Sequence, residues 1–296
     1  MKKNLPINSV DYAIAPGAKL DLFQQATVGE PFYGSSADYR KQLGTSTDNL
    51  KKLQELLYAD NRYSLLIIFQ AMDAAGKDGA IRNVMSGINP QGCRVHSFKH
   101  PSATELDHDF LWRSYCNLPE RGQIGIFNRS YYEEVLIVKV QPHLLEAQKL
   151  PCKNINSKSF WRDRYRSIVE SEAHLVRNGT RIIKFFLHIS KEEQCRRLLE
   201  RIDNPNKQWK FSPADTAQRQ HWDDYMRAYA ECLSNTSTAA APWYVIPADD
   251  KKNARLTISA IINETLAGLD LAYPETNAAS LAELKKIREQ LLKGEL

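Results

Sequence analysis

The chain has 296 residues, 43% of them hydrophobic, enough for one large core or two modest domains. Its 40 Lys and Arg against 35 Asp and Glu leave a formal net charge of +5, too small a surplus to imply nucleic-acid binding by itself. No segment reaches the roughly 20 apolar residues that cross a bilayer. The two lysines near the start have no apolar run behind them, and the five cysteines form no CxxC pair. We therefore expect a cytoplasmic chain with reduced thiols, no signal peptide, no membrane contact, and neither disulfides nor structural zinc.

Residues 1–60 read as an arm around the core. It is turn-rich at Ala15-Pro16-Gly17 and from Gly29 to Ser36, then helical from Ser46 to Tyr58 with Leu50, Leu53, Leu56 and Leu57 on one face. From 61 to 270 strands and helices alternate. Tyr63 to Phe69 is a continuous apolar run, as for a strand buried on both faces. Further strands are predicted at Cys93–Phe98, Gln123–Phe127, Arg181–Ile189 and Trp243–Ile246. Helical spacing joins Ile81, Val84, Met85 and Ile88, and again Trp161, Tyr165, Ile168, Glu172 and Leu175. This alternation predicts a three-layer α/β fold with a five-stranded parallel sheet. Helices are expected from Asn253 to Leu269 and, within a tail of residues 271–296, from Leu281 to Leu292. Ser280 and Glu283 have capping-box spacing before the second.

The strongest signal is Gln70-Ala71-Met72-Asp73-Ala74-Ala75-Gly76-Lys77-Asp78-Gly79, set between a buried strand and a helix. In that context a glycine-rich loop cradles phosphate: backbone N–H groups at the helix start point at the anion and the helix dipole favours it. Gly76 permits close approach and Lys77 supplies a point charge. Ala71 stands where such loops usually have their first Gly, and Asp78 where Ser or Thr binds magnesium. Asp73 is an added carboxylate. Facing phosphates it would repel them unless a cation lies between, so we assign it to Mg²⁺, with Mn²⁺ as a substitute.

A second group, Asn128-Arg129-Ser130-Tyr131-Tyr132-Glu133, follows the third strand, where open α/β sheets bind ligands. Arg129 is expected to clamp phosphate. Glu133 has two readings, a site residue or the partner of Ser130 in a capping box. Arg82, Lys99 and Arg113 carry charges that could line one groove or face solvent. Residues 195–225 read as a lid, with Arg196, Arg197, Arg201, Lys207 and Lys210 crowded into a helix–loop–helix, because phosphotransfer enzymes exclude water by closure. Ser212, Pro213 and Asp215 match the start of its second helix, Ser212 as the cap.

Taken together, these motifs resemble the polyphosphate kinase 2 family. The likeness rests on the loop at 71–79, Lys99 to Leu106, Phe110 to Arg113, Leu118 to Gly122, Phe127 to Leu136 and Asp203 to Asp215, in order over residues 10–270. The resemblance implies a P-loop kinase core with a lid, and Mg²⁺-dependent transfer of the terminal phosphoryl group between inorganic polyphosphate and AMP or ADP. By position it makes Asp73 the metal-binding acid, and Lys77 and Arg129 catalytic phosphate ligands. Ala75, Gly76, Asp78, Gly79, Arg82, Lys99 and Arg113 would join them along the polyphosphate chain. Asp73, Asn128, Glu133, Lys207 and Lys210 fall to the nucleotide. Asn128 departs from the Asp that many members carry, and the form N-R-S-x-Y-E resembles the subgroup using both AMP and ADP. The family's habit implies a homo-oligomer. Two other functions fit parts of the pattern: an ATP-dependent nucleoside monophosphate kinase, and a non-catalytic polyanion-binding module.

Overall fold

The computed structural model describes residues 7–151, 154–211 and 213–295. Helix α1 is Ser36–Asp60 and strand β1 Ser64–Gln70; α2 is Lys77–Val84 and β2 Cys93–Ser97. Short helices α3 (Ala103–Leu106) and α4 (Trp112–Tyr115) lead to β3 (Ile124–Asn128), a 3-10 turn at Tyr131–Val135, and α5 (Ile137–Val140). Then come α6 (Lys158–Arg177), β4 (Thr180–His188), α7 (Lys191–Asp203), α8 (Pro213–Gln220) and α9 (Trp222–Thr236). The chain ends through β5 (Trp243–Pro247), α10 (Lys251–Ala267) and α11 (Ala278–Lys293).

The five strands are all parallel, in the order β2-β3-β1-β4-β5. Every residue of β1 is buried, so both faces of the sheet are covered at its centre, as its unbroken apolar run requires. Leu65, Leu66, Ile67 and Ile68 are each fully buried, worth about 1.5–3 kcal/mol apiece as transferred side chains. One group of helices joins α10 to α1 and α2, and another joins α6 and α5 to α9. The chain leaves β1 toward β2 and leaves β4 toward β5, so the connections diverge beside β1, where open sheets bind ligands. At the outer edge of β5 the segment around Ala13 pairs antiparallel with Tyr244, the Ile14 N–H donating to the Trp243 carbonyl at 2.9 Å. That pairing covers one sheet edge. The opposite edge, β2, is largely exposed.

Three expectations need correction. The first helix begins at Ser36, ten residues before the expected start. Ser35 caps it by accepting from the Asp38 N–H, which the weakly apolar stretch 36–45 conceals. The last helix begins at Ala278, capped by Asn277, whose side chain accepts from Ser280 N–H at 2.9 Å. Ser280 therefore lies inside the helix, and the Ser280–Glu283 capping box does not form. Ser212, the expected cap of α8, and the side chains of Asp215 and Lys210 lie outside the described residues. So does Cys152; the four described cysteines are free. No helix among the described residues is long and apolar enough to cross a membrane.

Candidate active site

β1 delivers the chain to the loop at Ala71–Gly76. Ala74 and Gly76 adopt the left-handed backbone, at φ +64° and +107°; glycine does so at no steric cost, whereas Ala74 is strained. Ser35, Ser157, Ser190, Asp250 and Asn277 cap their helices with side-chain acceptors. Gly76 makes no such bond at the start of α2, so the first-turn amides have no side-chain cap, as an anion site at a helix start requires. The Lys77 ammonium is buried there, donating to the carbonyls of Ala71 at 2.8 Å and Met72 at 3.4 Å. Burial, reinforced by the Arg129 charge, pushes its pKa down to about 8, against the pull of Asp73, Glu133 and Asp78.

β3, hydrogen-bonded beside β1, brings in the second group. Arg129 has φ +62° and its N–H donates to the Phe69 carbonyl at 3.0 Å. Its guanidinium meets the Asp73 carboxylate at 2.5 Å. Glu133 first, then Asp73, hold Arg129 firmly charged. Asn128 donates to the Asp78 carboxylate at 2.8 Å, so two motifs 50 residues apart meet across the helix start. The Gln70 amide is assigned the orientation that donates to Glu133 at 2.8 Å and accepts from the Ser130 N–H and hydroxyl at 3.1 Å each; the reverse would set its oxygen against a carboxylate. Ser130 itself accepts from the Tyr132 N–H. Its own N–H is thus satisfied by Gln70, and the capping box with Glu133 does not form. Asp73, Arg129, Glu133, Gln218, Tyr225 and Tyr229 line one pocket beside the loop.

Beneath this segment lies a buried network. The Lys184 ammonium donates to Glu172 at 2.6 Å, to the Tyr132 hydroxyl at 2.9 Å and to the Thr236 carbonyl at 2.8 Å. The Tyr131 and Tyr132 hydroxyls both donate to Glu172 at 2.8 Å. Burial lowers the Lys184 pKa and raises those of the two tyrosines. The network ties the turn carrying Glu133 to β4 and α6.

Arg113 is 6% exposed. It donates to the Lys99 carbonyl at 2.8 Å, lies 3.8 Å from Glu134 and stacks over Phe98. The guanidinium is committed to holding the 99–101 loop, which corrects its expected place on an open groove. Arg82, Lys99 and Lys207 are exposed and outside the cluster. Of the lid cations, Arg196 is paired with Glu193 and Glu200. Arg197, 4% exposed, lies under the loop instead. It donates to the carbonyls of Ala75 (2.6 Å), Ala74 (3.3 Å), Ala248 (2.6 Å) and Asp249 (2.9 Å), and to Glu193 at 2.6 Å. Gln194 adds a bond to the Asp73 carbonyl at 3.0 Å. Both were missed as loop supports. The signal for them was the Glu193–Arg197 spacing of four next to buried Leu198, which marks an arginine on the inward face of α7.

Among the described residues no three His, Cys, Asp or Glu side chains gather into a preformed metal cage. Asp73 and Asp78 flank the Lys77 ammonium, with the Asn128 amide bonded to Asp78. That donor set fits a hard divalent cation such as Mg²⁺, which keeps waters and takes its other ligands from substrate phosphates.

A strand–loop–helix anion cradle, a buried lysine at the helix start, and an arginine and acid facing each other from adjacent strand ends define a P-loop phosphotransferase. Comparison narrows this: the family profile "Polyphosphate kinase 2 (PPK2)" matches residues 33–273, and the chain belongs to that family. It is 58% identical over 289 residues to an ADP-polyphosphate phosphotransferase of Rhodopseudomonas palustris, covering 98% of this chain and all of that one. An AMP/ADP-polyphosphate phosphotransferase of Meiothermus ruber is 47% identical, over 91% of this chain and 97% of its own. Among solved structures, polyphosphate kinase 2 from Arthrobacter aurescens TC1 superposes with a TM-score of 0.83 at 37% identity, covering 96% of this chain and 100% of that one.

Proposed function

We propose that this protein transfers the terminal phosphoryl group of inorganic polyphosphate to AMP and ADP, reversibly and with Mg²⁺. The observation that carries the reading is the Asp73–Arg129 contact beside the Lys77 loop. The contact supports the reading because it pairs the acid proposed for the metal with the arginine proposed for phosphate, beside the lysine of the loop.

In the forward direction an anionic oxygen of the nucleotide's last phosphate attacks the terminal phosphorus of the chain. The bond from that phosphorus to its bridging oxygen breaks, and the bridging oxygen leaves as the new end of a polyphosphate one unit shorter. No proton need be removed, so catalysis lies in positioning and charge neutralisation. The α2 amides and Lys77 hold the donor chain, which Arg82 and Lys99 extend. Arg129 holds the migrating group from the opposite side. Glu133, aligned by Gln70, faces the acceptor, with Asn128 beside it and Lys207 and Lys210 on the lid. When bound at Asp73, Mg²⁺ would supply charge neutralisation between donor and acceptor phosphates. Free thiols support a cytoplasmic setting, and Leu281, Leu284 and Leu291, left exposed on α11, support a homo-oligomer.

The test is incubation of the purified protein with Mg²⁺, long-chain polyphosphate and AMP, without ATP, following ADP and ATP by chromatography. Both should form, and Lys77→Ala should stop them. Conversion of added ADP alone would remove AMP as a substrate. Turnover only with ATP as donor would establish the monophosphate-kinase reading, and polyphosphate binding without turnover the binding-module reading.

A further inference from the structure

Tyr225 is 4% exposed, on the wall that α9 contributes to the pocket with Asp73, Arg129 and Glu133. Its hydroxyl has no hydrogen-bond partner. Buried tyrosine hydroxyls normally find one. In this protein Tyr131 and Tyr132 donate to Glu172, and Tyr165 accepts from Lys139 at 3.2 Å. Among the described residues five buried side-chain atoms lack partners, and of these only the Tyr225 hydroxyl lines that pocket. A buried hydroxyl without a partner, beside an arginine and two acids and bonded to none, marks a place for a ligand atom.

We propose that the Tyr225 hydroxyl is a substrate contact, donating a hydrogen bond to a phosphate oxygen of the acceptor nucleotide. The inference rests on the functional reading above. Three points assign the ligand. The hydroxyl is a donor throughout the neutral range, because burial, and after it Glu133 and Asp73, push its pKa above the ordinary tyrosine value against Arg129. A donor there calls for an anionic oxygen. The donor chain is assigned to Lys77 and the α2 amides, whereas Tyr225 comes from α9 and lines the pocket together with Glu133, the residue assigned to the acceptor. The oxygen it faces therefore belongs to the acceptor.

The test is Tyr225→Phe in the full-length protein. It removes one oxygen and no hydrogen bond of the ligand-free state, so the Tm should be unchanged or higher. Calorimetric affinity for ADP, and kcat/KM for ADP and AMP at saturating polyphosphate, should fall roughly tenfold or more, as expected for a bond to a charged group. The KM for polyphosphate should not move. Unchanged nucleotide affinity, a loss confined to polyphosphate, or a lower Tm with all constants reduced together would each overturn the proposal. Wild-type protein that binds ADP yet shows no turnover with polyphosphate would defeat the functional reading, and the affinity ratio of the two proteins would still decide Tyr225. Wild-type protein that binds no adenine nucleotide would defeat both.

Discussion

Arg196 and Arg197 are neighbours on α7, and the structure gives them opposite weights. Arg197→Met removes a guanidinium that holds the carbonyls of Ala74 and Ala75 on the phosphate loop and of Ala248 and Asp249 at the end of β5. It also removes one of the two arginines that pair with Glu193, leaving Arg196. Leaving buried carbonyls without their donor costs about 1–3 kcal/mol apiece, about 4 kcal/mol over this set. Unfolding entropy of about 2.1 cal/mol/K per residue over 296 residues is about 0.6 kcal/mol/K, so a loss of about 4 kcal/mol lowers the Tm by about 6 °C. The loop also loses its underlying support, so kcat should fall with it. Arg196→Met removes the same formal charge one residue away, from a largely exposed side chain; Glu193 keeps Arg197, and the variant's melting curve should overlay the wild type. Calorimetry on the three proteins, with chemical denaturation as a second probe, measures both. Equal losses for the two variants would refute the assignment of Arg197 as a staple beneath the loop.

Asp73→Asn should lower kcat at least a hundredfold while raising affinity for polyphosphate a few-fold, because it frees Arg129; fluorescence titration and steady-state kinetics separate the two effects. Lys77 gives a pH signature. Its pKa is about 8 when folded against 10.5 ordinarily, so between these values the unfolded chain binds more protons and this group's contribution to stability rises with pH. Polyphosphate affinity should move the other way and weaken as pH rises through about 8, and Lys77→Met should abolish both slopes. Lys184→Met or Glu172→Gln alone should cost about 3–5 kcal/mol, and the double variant clearly less than the sum, since neither then leaves an uncompensated buried charge. A denaturation double-mutant cycle gives the coupling.

The strands were legible because both faces of a central parallel sheet demand apolar residues. Tyr63–Phe69 announces β1 to within a residue, and the glycine-rich loop follows directly behind it. Asp73, Lys77, Asn128, Arg129 and Glu133 do converge, since strand order brings the ends of β1 and β3 together. The arginines were the illegible part. Arg113 and Arg197 look like surface cations because a guanidinium's burial depends on carbonyls that distant segments supply, and nothing local records that. Helix starts failed for a related reason. Ser36 to Gly44 carries little apolar signal, and its helicity is set by the Ser35 cap and by packing of α1 on α10.

The Asp73–Arg129 contact has a thermodynamic consequence under the proposed roles. Asp73 shares Arg129 with Glu133 and is the acid in direct contact with it. An anion drawing Arg129 away leaves Asp73 unneutralised and raises its affinity for a cation, and a cation on Asp73 releases Arg129 to an anion by the same factor. The pair is a reciprocal gate: a lone phosphate or a lone divalent ion must break the contact, whereas the metal–polyphosphate complex replaces both halves at once. Cooperativity between metal and polyphosphate is thereby built into a single ion pair, without movement of the fold.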